Sequence, residues 1–333
     1  MLNTLRLSYD IATNAFIKSH PFLLYFKPTA RCNLRCKSCN RWMENTSIKE
    51  ELPIEEIRKI FLKFRKAGCA VLILWGGEPT LRSDLPQILE EAKKVGLRTS
   101  MCTNCLLLPK KADQILPNLD VLLCSLDGYG KSHDEFRGVP GLFESVVNAI
   151  EIASSSYPGC YIKIWASIHK KSLNDIEALV NLAKKFHVGI EFFPISLIEG
   201  YNDDLVADAD DLKKVFKEII AFKRAGDPIR NPYRALKMLE NAQPFSCNFG
   251  RIGIHLDHRG NVYSCEDSAG TPRHSWCNYK DFDPAAVFNS LEFKKVVRDL
   301  KKCNLCRLPC VMELSGNLMR CLPEMFFEKK RWG

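Results

Sequence analysis

The strongest constraint on this chain is the stretch Cys32-Asn-Leu-Arg-Cys36-Lys-Ser-Cys39, which puts three thiols into one short loop. Soft thiolate donors at this spacing suit an iron-sulfur centre, and three of them leave one iron without a protein ligand. An open iron can take a small molecule, so the spacing predicts a catalytic centre rather than a structural one. A zinc knuckle that borrows its fourth ligand from elsewhere has the same spacing, and the loop alone does not separate the two.

What surrounds the loop sets the fold. The apolar run Pro21 to Phe26 stops at Lys27-Pro28 and predicts a buried strand that feeds the chain directly into the cysteines. Helix and strand then alternate: helix Pro53 to Gly68, strand Ala70 to Trp75, helix Asp84 to Val95, strand Arg98 to Thr103 and a short helix near Lys110. Strand Val121 to Ser125, helix Phe143 to Ala153, strand Tyr161 to Ile168, helix Leu173 to Phe186 and strand Gly189 to Pro194 follow. Six such β-α steps predict an α/β fold, a partial (β/α)6 TIM-like barrel with its chemistry at the carboxyl ends of the strands.

After Gly200 the alternation ends in an acidic linker (Asp203, Asp204, Asp208, Asp210, Asp211), a helix to Ala225 and a short helix near Arg234. Cys247, the run Arg251 to Leu256, the turn Asp257 to Gly260 and Asn261 to Ser264 then predict a hairpin ending in Cys265. A helix from Leu291 to Leu300 leads into Cys303, Cys306 and Cys310. The expected division is an amphipathic helix over 1–20, the barrel over 21–200, a helical linker over 201–246 and a small C-terminal auxiliary cluster domain over 247–333.

Composition enters where it limits setting and partners. Fifteen cysteines in 333 residues, clustered at ligand spacing with no secretory signal ahead of them, point to a reducing, cytoplasmic environment. Leu2, Leu5, Tyr9, Ala12 and Phe16 recur at helical spacing, but Arg6, Asp10 and Lys18 interrupt them, so the segment reads as amphipathic and not membrane-spanning. A net charge of +9 suits a phosphate-rich or membrane-surface partner, and solubility accounts for it equally. Nucleic acid is not expected as a partner.

At the end of the second strand stands Gly76-Gly77-Glu78-Pro79, and together with the cysteine loop it makes the chain resemble the radical S-adenosylmethionine (SAM) enzymes. The resemblance implies a [4Fe-4S] cluster on Cys32, Cys36 and Cys39, with SAM on its open iron and Gly76, Gly77, Glu78 and Pro79 around the methionine end. Asn104, in the pair Thr103-Asn104, and Ser125, in Ser125-Leu126-Asp127-Gly128, close the next two strands on the same side, and Ser125 is placed at the SAM ribose. In the loop His133 to Gly138, Arg137 is placed near SAM, with His133 expected to be solvated and Asp127 to cap a turn. One electron from a ferredoxin- or flavodoxin-type donor would then release a 5′-deoxyadenosyl radical, which abstracts hydrogen from an unactivated carbon. Small residues such as Ser38, where most members carry an aromatic one, occur in the hopanoid-forming adenosyl transferases, which the stretch Cys102 to Leu108 also resembles.

Cys247, twelve residues, Gly260, four residues and Cys265, followed by Cys303-x-x-Cys306, resemble the twitch form of the SPASM extension, which implies an auxiliary [4Fe-4S] cluster. Cys310 and Cys321 can exchange with a named ligand, and zinc fits the same donors. Cys69, Cys102, Cys105, Cys124, Cys160 and Cys277 are expected to pack as small apolar residues. His169, Glu191 and Tyr201 serve equally as acid-base or structural groups. For substrate, the amphipathic amino terminus and the basic, aromatic tail Met325 to Trp332 favour a lipid or isoprenoid with peripheral membrane contact. A peptide is the alternative, since peptide modification is the common use of such an extension, and a non-catalytic iron-sulfur or zinc protein is a third reading.

Overall fold

The sheet that carries the site is built from strands β1 (Leu23–Phe26), β2 (Val71–Leu74), β3 (Arg98–Thr103), β4 (Val121–Ser125), β5 (Tyr161–Ile168) and β6 (Gly189–Pro194). The computed structural model describes residues 9, 11–44, 46–266, 270–303 and 306–307. All neighbours among these six strands run parallel, which places every βα turn, the cysteine loop included, at the same end. Successive side chains alternate between faces. Leu24, Phe26, Leu72, Leu74, Met101, Leu122, Ile164 and Phe192 point to the helices, where they share one core with Ile57, Phe61, Ile88, Ile150 and Leu179. The sheet curves without closing into a barrel, its order being β6-β5-β4-β3-β2-β1-β7-β8-β9.

The C-terminal hairpin continues this sheet. β7 (Gly253–Leu256) lies parallel to β1, with Leu23 opposite Gly253 and Phe26 opposite Leu256, and β8 (Asn261–Glu266) and β9 (Pro272–Asn278) follow antiparallel. The auxiliary thiols are therefore fixed to the same wall as the cysteine loop. Inner-face residues Leu23, Tyr25 and Val71 share a second core with Cys247, Phe249, Ile252 and Cys306. Ile11 joins that core, and Asn14 donates to the Gly68 carbonyl at 2.7 Å, which fixes one side of the amino-terminal segment to the start of the sheet while Tyr9 and Ile17 stay exposed. Among the described residues no helix is long and apolar enough to cross a membrane.

Three local expectations change. Lys131–Arg137, read as a loop, is a helix between Gly130 and Gly138, both at positive φ (58° and 76°), and it buries His133 instead of leaving it to solvent. β9 is a strand of largely exposed residues, so it lacks the apolar alternation that marks strands in sequence, and Cys277 on it is exposed rather than packed. Helix Pro284–Asn289 also went unanticipated; Asp283 caps it by accepting from the Ala285 and Ala286 amides.

Candidate active site

The cysteine loop and the glycine turn are in direct backbone contact. Gly77 donates to the Thr29 carbonyl at 3.1 Å and Glu78 to the Arg31 carbonyl at 2.8 Å, so the turn runs along the residues that enter Cys32. Both glycines are required by this approach. A Cβ on Gly77 would stand 2.1 Å from the Arg31 carbonyl oxygen, and one on Gly76, at φ 119°, would stand 2.2 Å from Cγ of Lys27. Cys36 is buried and Cys32 and Cys39 partly so. Burial raises the Cys32 thiol to about 11, against a lowering contact from the Leu34 backbone, and Glu78, Cys36 and Cys39 raise it further. Cys36 is likewise raised by burial and eased by Arg137.

Glu78 turns its side chain into the scaffold. Its carboxylate is buried and accepts from the Thr80 amide (3.0 Å), the Thr80 hydroxyl (2.6 Å), the Thr103 hydroxyl (2.7 Å) and the Asn104 amide (2.9 Å). It ties the end of β2 to the end of β3 and leaves the glycine backbone as the part of the motif open to a ligand. Asn104 Nδ2 donates to Asn33 Oδ1 inside the cysteine loop at 2.8 Å. Ser125 is buried, its hydroxyl 3.6 Å from the Cys102 thiol, so Cys102 shares its surface while Cys105 and Cys124 pack in the helix-facing core.

Arg137 reaches the cluster loop itself. Its Nη1 lies 3.9 Å from Cys36 Sγ and its Nε donates to Asp127 Oδ2 at 2.6 Å. Asp127 does more than cap a turn: its other oxygen accepts from the Ser167 amide at 2.9 Å, and its own amide donates to His133 Nδ1 at 3.1 Å, joining β4, β5 and the helix Lys131–Arg137. Burial alone would raise the Asp127 carboxyl, but Arg137, His133 and Ser167 outweigh it and hold it low. Sequence inspection missed this hub because its partners lie in two other segments, the helix Lys131–Arg137 and β5. Tyr201 reaches the cysteine loop, its hydroxyl donating to the Cys39 carbonyl at 3.0 Å and the Cys36 carbonyl at 3.3 Å. Glu191, on the inner face of β6, pairs with Lys163 and accepts from Trp165 Nε1 at 2.6 Å. His169 stacks on Phe136 at 3.8 Å and lines a cavity of about 90 Å³ with Lys37, Ser132 and Lys171 beside the cysteine loop.

The C-terminal thiols are gathered too. Burial raises Cys247 to about 12, and Cys306 and Cys303 add to it. Burial also raises Cys265, with Cys306, Cys247 and Cys303 contributing, so all four thiols lie within electrostatic range of one another. The Phe249 amide donates to Cys247 Sγ at 3.4 Å. Neither Cys32, Cys36 and Cys39 nor Cys247, Cys265 and Cys303 form disulfides. Among the described residues no three His, Cys, Asp or Glu donors converge tightly enough to grip a single ion. Cys310 and Cys321 lie outside the described residues.

The Radical SAM superfamily model matches residues 26–183. An AdoMet-dependent heme synthase of Methanosarcina barkeri is 32% identical over 199 residues, 57% of this chain and 55% of that protein. The PqqA peptide cyclase of Rhizobium meliloti is 24% identical over 80% of this chain and 73% of its own. The chain spans 55% of that heme synthase and 34% of the AdoMet-dependent heme synthase of Oleidesulfovibrio alaskensis. Among solved structures, SuiB of Streptococcus suis with bound S-adenosylmethionine superposes with a TM-score of 0.69 at 16% identity, over 89% of this chain and 72% of that one. The family match takes in the cysteine loop, the glycine turn and strands β2 to β5, so residues 26–183 are similar to the radical SAM superfamily.

Proposed function

We propose that this protein is a radical SAM enzyme that holds its catalytic [4Fe-4S] cluster on Cys32, Cys36 and Cys39 and modifies an unactivated carbon of a peptide. The observation that carries it is the hydrogen-bonded contact between the cysteine loop and Gly77-Glu78. Bound there, the cluster and SAM supply one-electron reductive cleavage of the sulfonium and the hydrogen abstraction that follows. The chain's own part is placement. Gly76 and Gly77 bring backbone to the ligand, Glu78 and Asn104 brace the strand ends, Ser125 faces the same space and Arg137 sets a positive charge beside Cys36. The donor set fits the group: the loop thiols Cys32, Cys36 and Cys39 and the C-terminal thiols Cys247, Cys265, Cys303 and Cys306, which share one packed cluster, are soft donors that suit iron. Cys247, Cys265, Cys303 and Cys306 would close an auxiliary cluster with four protein ligands.

Reach along the chain favours a peptide. The heme synthase similarity covers 199 residues, whereas the peptide cyclase similarity covers 80% of the chain. The tail Met325 to Trp332 and the residues Leu2 and Leu5, from which a lipid was expected, lie outside the described residues, and the relatives named above are a heme synthase and a peptide cyclase. Anaerobically reconstituted protein given SAM and a low-potential ferredoxin or flavodoxin should release methionine and 5′-deoxyadenosine. Absence of both would overturn the enzyme reading. Peptide mass spectrometry of cells with and without the gene should show a modified peptide, and an altered lipid or tetrapyrrole in its place would overturn the substrate.

A further inference from the structure

A buried charged link crosses the wall between the two groups of thiols. Arg41 follows Cys39 by two positions, at the head of the short turn Arg41–Met43, and its guanidinium sits 4.7 Å over the ring of Trp75, the residue before Gly76. The same guanidinium pairs with Glu266, which follows Cys265 and whose side chain is fully shielded from solvent, while the Tyr263 hydroxyl donates to Glu266 Oε2 at 2.7 Å. Around this pair the inner face is aromatic. His255 lies between Tyr25 and Tyr263, with centroids 5.0 and 5.3 Å away, and touches Trp75 at 5.3 Å and Phe249 at 5.0 Å. Burial, with Arg41 and Lys27 adding to it, keeps His255 uncharged. Lys27 on the same face pairs with Glu44 at 3.2 Å, and Glu44 also pairs with Arg259 at 3.0 Å.

We infer that Arg41 and Glu266 are positioning residues that join the two metal-binding loops and set the reduction potential of the centre held by Cys247, Cys265, Cys303 and Cys306. The inference rests on the reading that these four thiols bind an iron-sulfur cluster. The physical basis is that a cluster's potential follows the charge around it, and that a buried charge is poorly screened by salt. A carboxylate one residue from a ligand opposes the added electron, and the guanidinium paired with it cancels that opposition. Burying such a pair is costly and a neutral pair of similar volume is often as stable, so its use here is electrostatic rather than adhesive.

The test is an EPR-monitored redox titration of the full chain, reconstituted with iron and sulfide, in a C32A/C36A/C39A background that leaves only the second centre. Glu266→Gln should raise the midpoint potential, since Arg41 is then uncompensated. Arg41→Gln should lower it. The double variant should return towards the parent, and Arg41→Lys, which keeps the charge, should stay close to it. Shifts of one sign in both single variants, or none, would overturn the inference, and a potential moved equally by Arg41→Lys and Arg41→Gln would assign Arg41 to packing alone. If the background protein takes up no iron, the reading of the four thiols fails first and the bridge with it.

Discussion

The two thiol groups are built by opposite means. Cys32, Cys36 and Cys39 come from one stretch behind a single strand, and the scaffold fixes that stretch from outside: Arg31 Nε donates to Glu51 at 2.7 Å, Arg82 to the Pro28 carbonyl at 3.0 Å, and Tyr201 to two loop carbonyls. Cys247, Cys265, Cys303 and Cys306 come from three segments joined by a hairpin, an exposed strand and two helices. Bringing such distant segments together costs chain entropy that a ligand shared among them offsets. The difference separates a site the fold makes from a site whose occupant helps make the fold.

The largest effects should follow that line. Cys36→Ala should reduce SAM cleavage to background, on the order of 10³-fold or more, with little change in thermal unfolding. Cys265→Ala should leave 5′-deoxyadenosine release within a few-fold of the parent, roughly, while lowering both bound iron and the unfolding temperature. Equal loss of stability in the two variants, measured by calorimetry on oxygen-free protein, would break the comparison. Gly77→Ala comes next, because its methyl group would meet the Arg31 carbonyl, which is backbone and cannot swing aside. A displacement of the order of 1 Å at a reacting centre costs about 100-fold, so SAM cleavage should fall by that amount while EPR shows the second centre intact.

The same contrast governs what the sequence reveals. β3, β4, β5 and β6 match the expected strands end for end, since each is a short run set between turn signals. The three-cysteine loop and the glycine turn were legible for a related reason, as their chemistry is written in consecutive residues. Spatial partnership across the chain was not. Nothing local announces that β7 pairs with β1, that Asp127 gathers Ser167, His133 and Arg137, or that Glu78 turns its carboxylate into Thr103 and Asn104. The helix Lys131–Arg137 escaped because seven residues span only two turns, too few for a period to show.

Acid should weaken the first region through His133. Burial, with Arg137 adding to it, lowers this histidine to about 4. Its folded value lies below the unfolded one near 6.5, so the stability of its neutral form is fully present above pH 6.5 and is lost as pH falls towards 4. The shift corresponds to roughly 3 kcal/mol at the acid end. His133→Asn keeps an acceptor for the Asp127 amide, and should flatten the pH dependence of urea unfolding between those limits. His255 in the second region is lowered too, so part of the slope should remain. An unchanged slope would mean that His133 titrates freely.

The smallest effect tests the outside bracing itself. Tyr201→Phe removes one hydroxyl that donates to the Cys36 and Cys39 carbonyls and leaves the ring in place, so the cost should be about 1 kcal/mol. Because the loop's shape comes from several such contacts, iron should leave the first centre a few-fold faster in the presence of a chelator, by the same ~1 kcal/mol. The second centre, which has no contact with Tyr201 among the described hydrogen bonds, should lose iron at the parent rate. Equal acceleration at both centres would mean that the loop and the four-thiol group open as one unit, and the contrast between a prebuilt and a ligand-built site would give way to a single cooperative one.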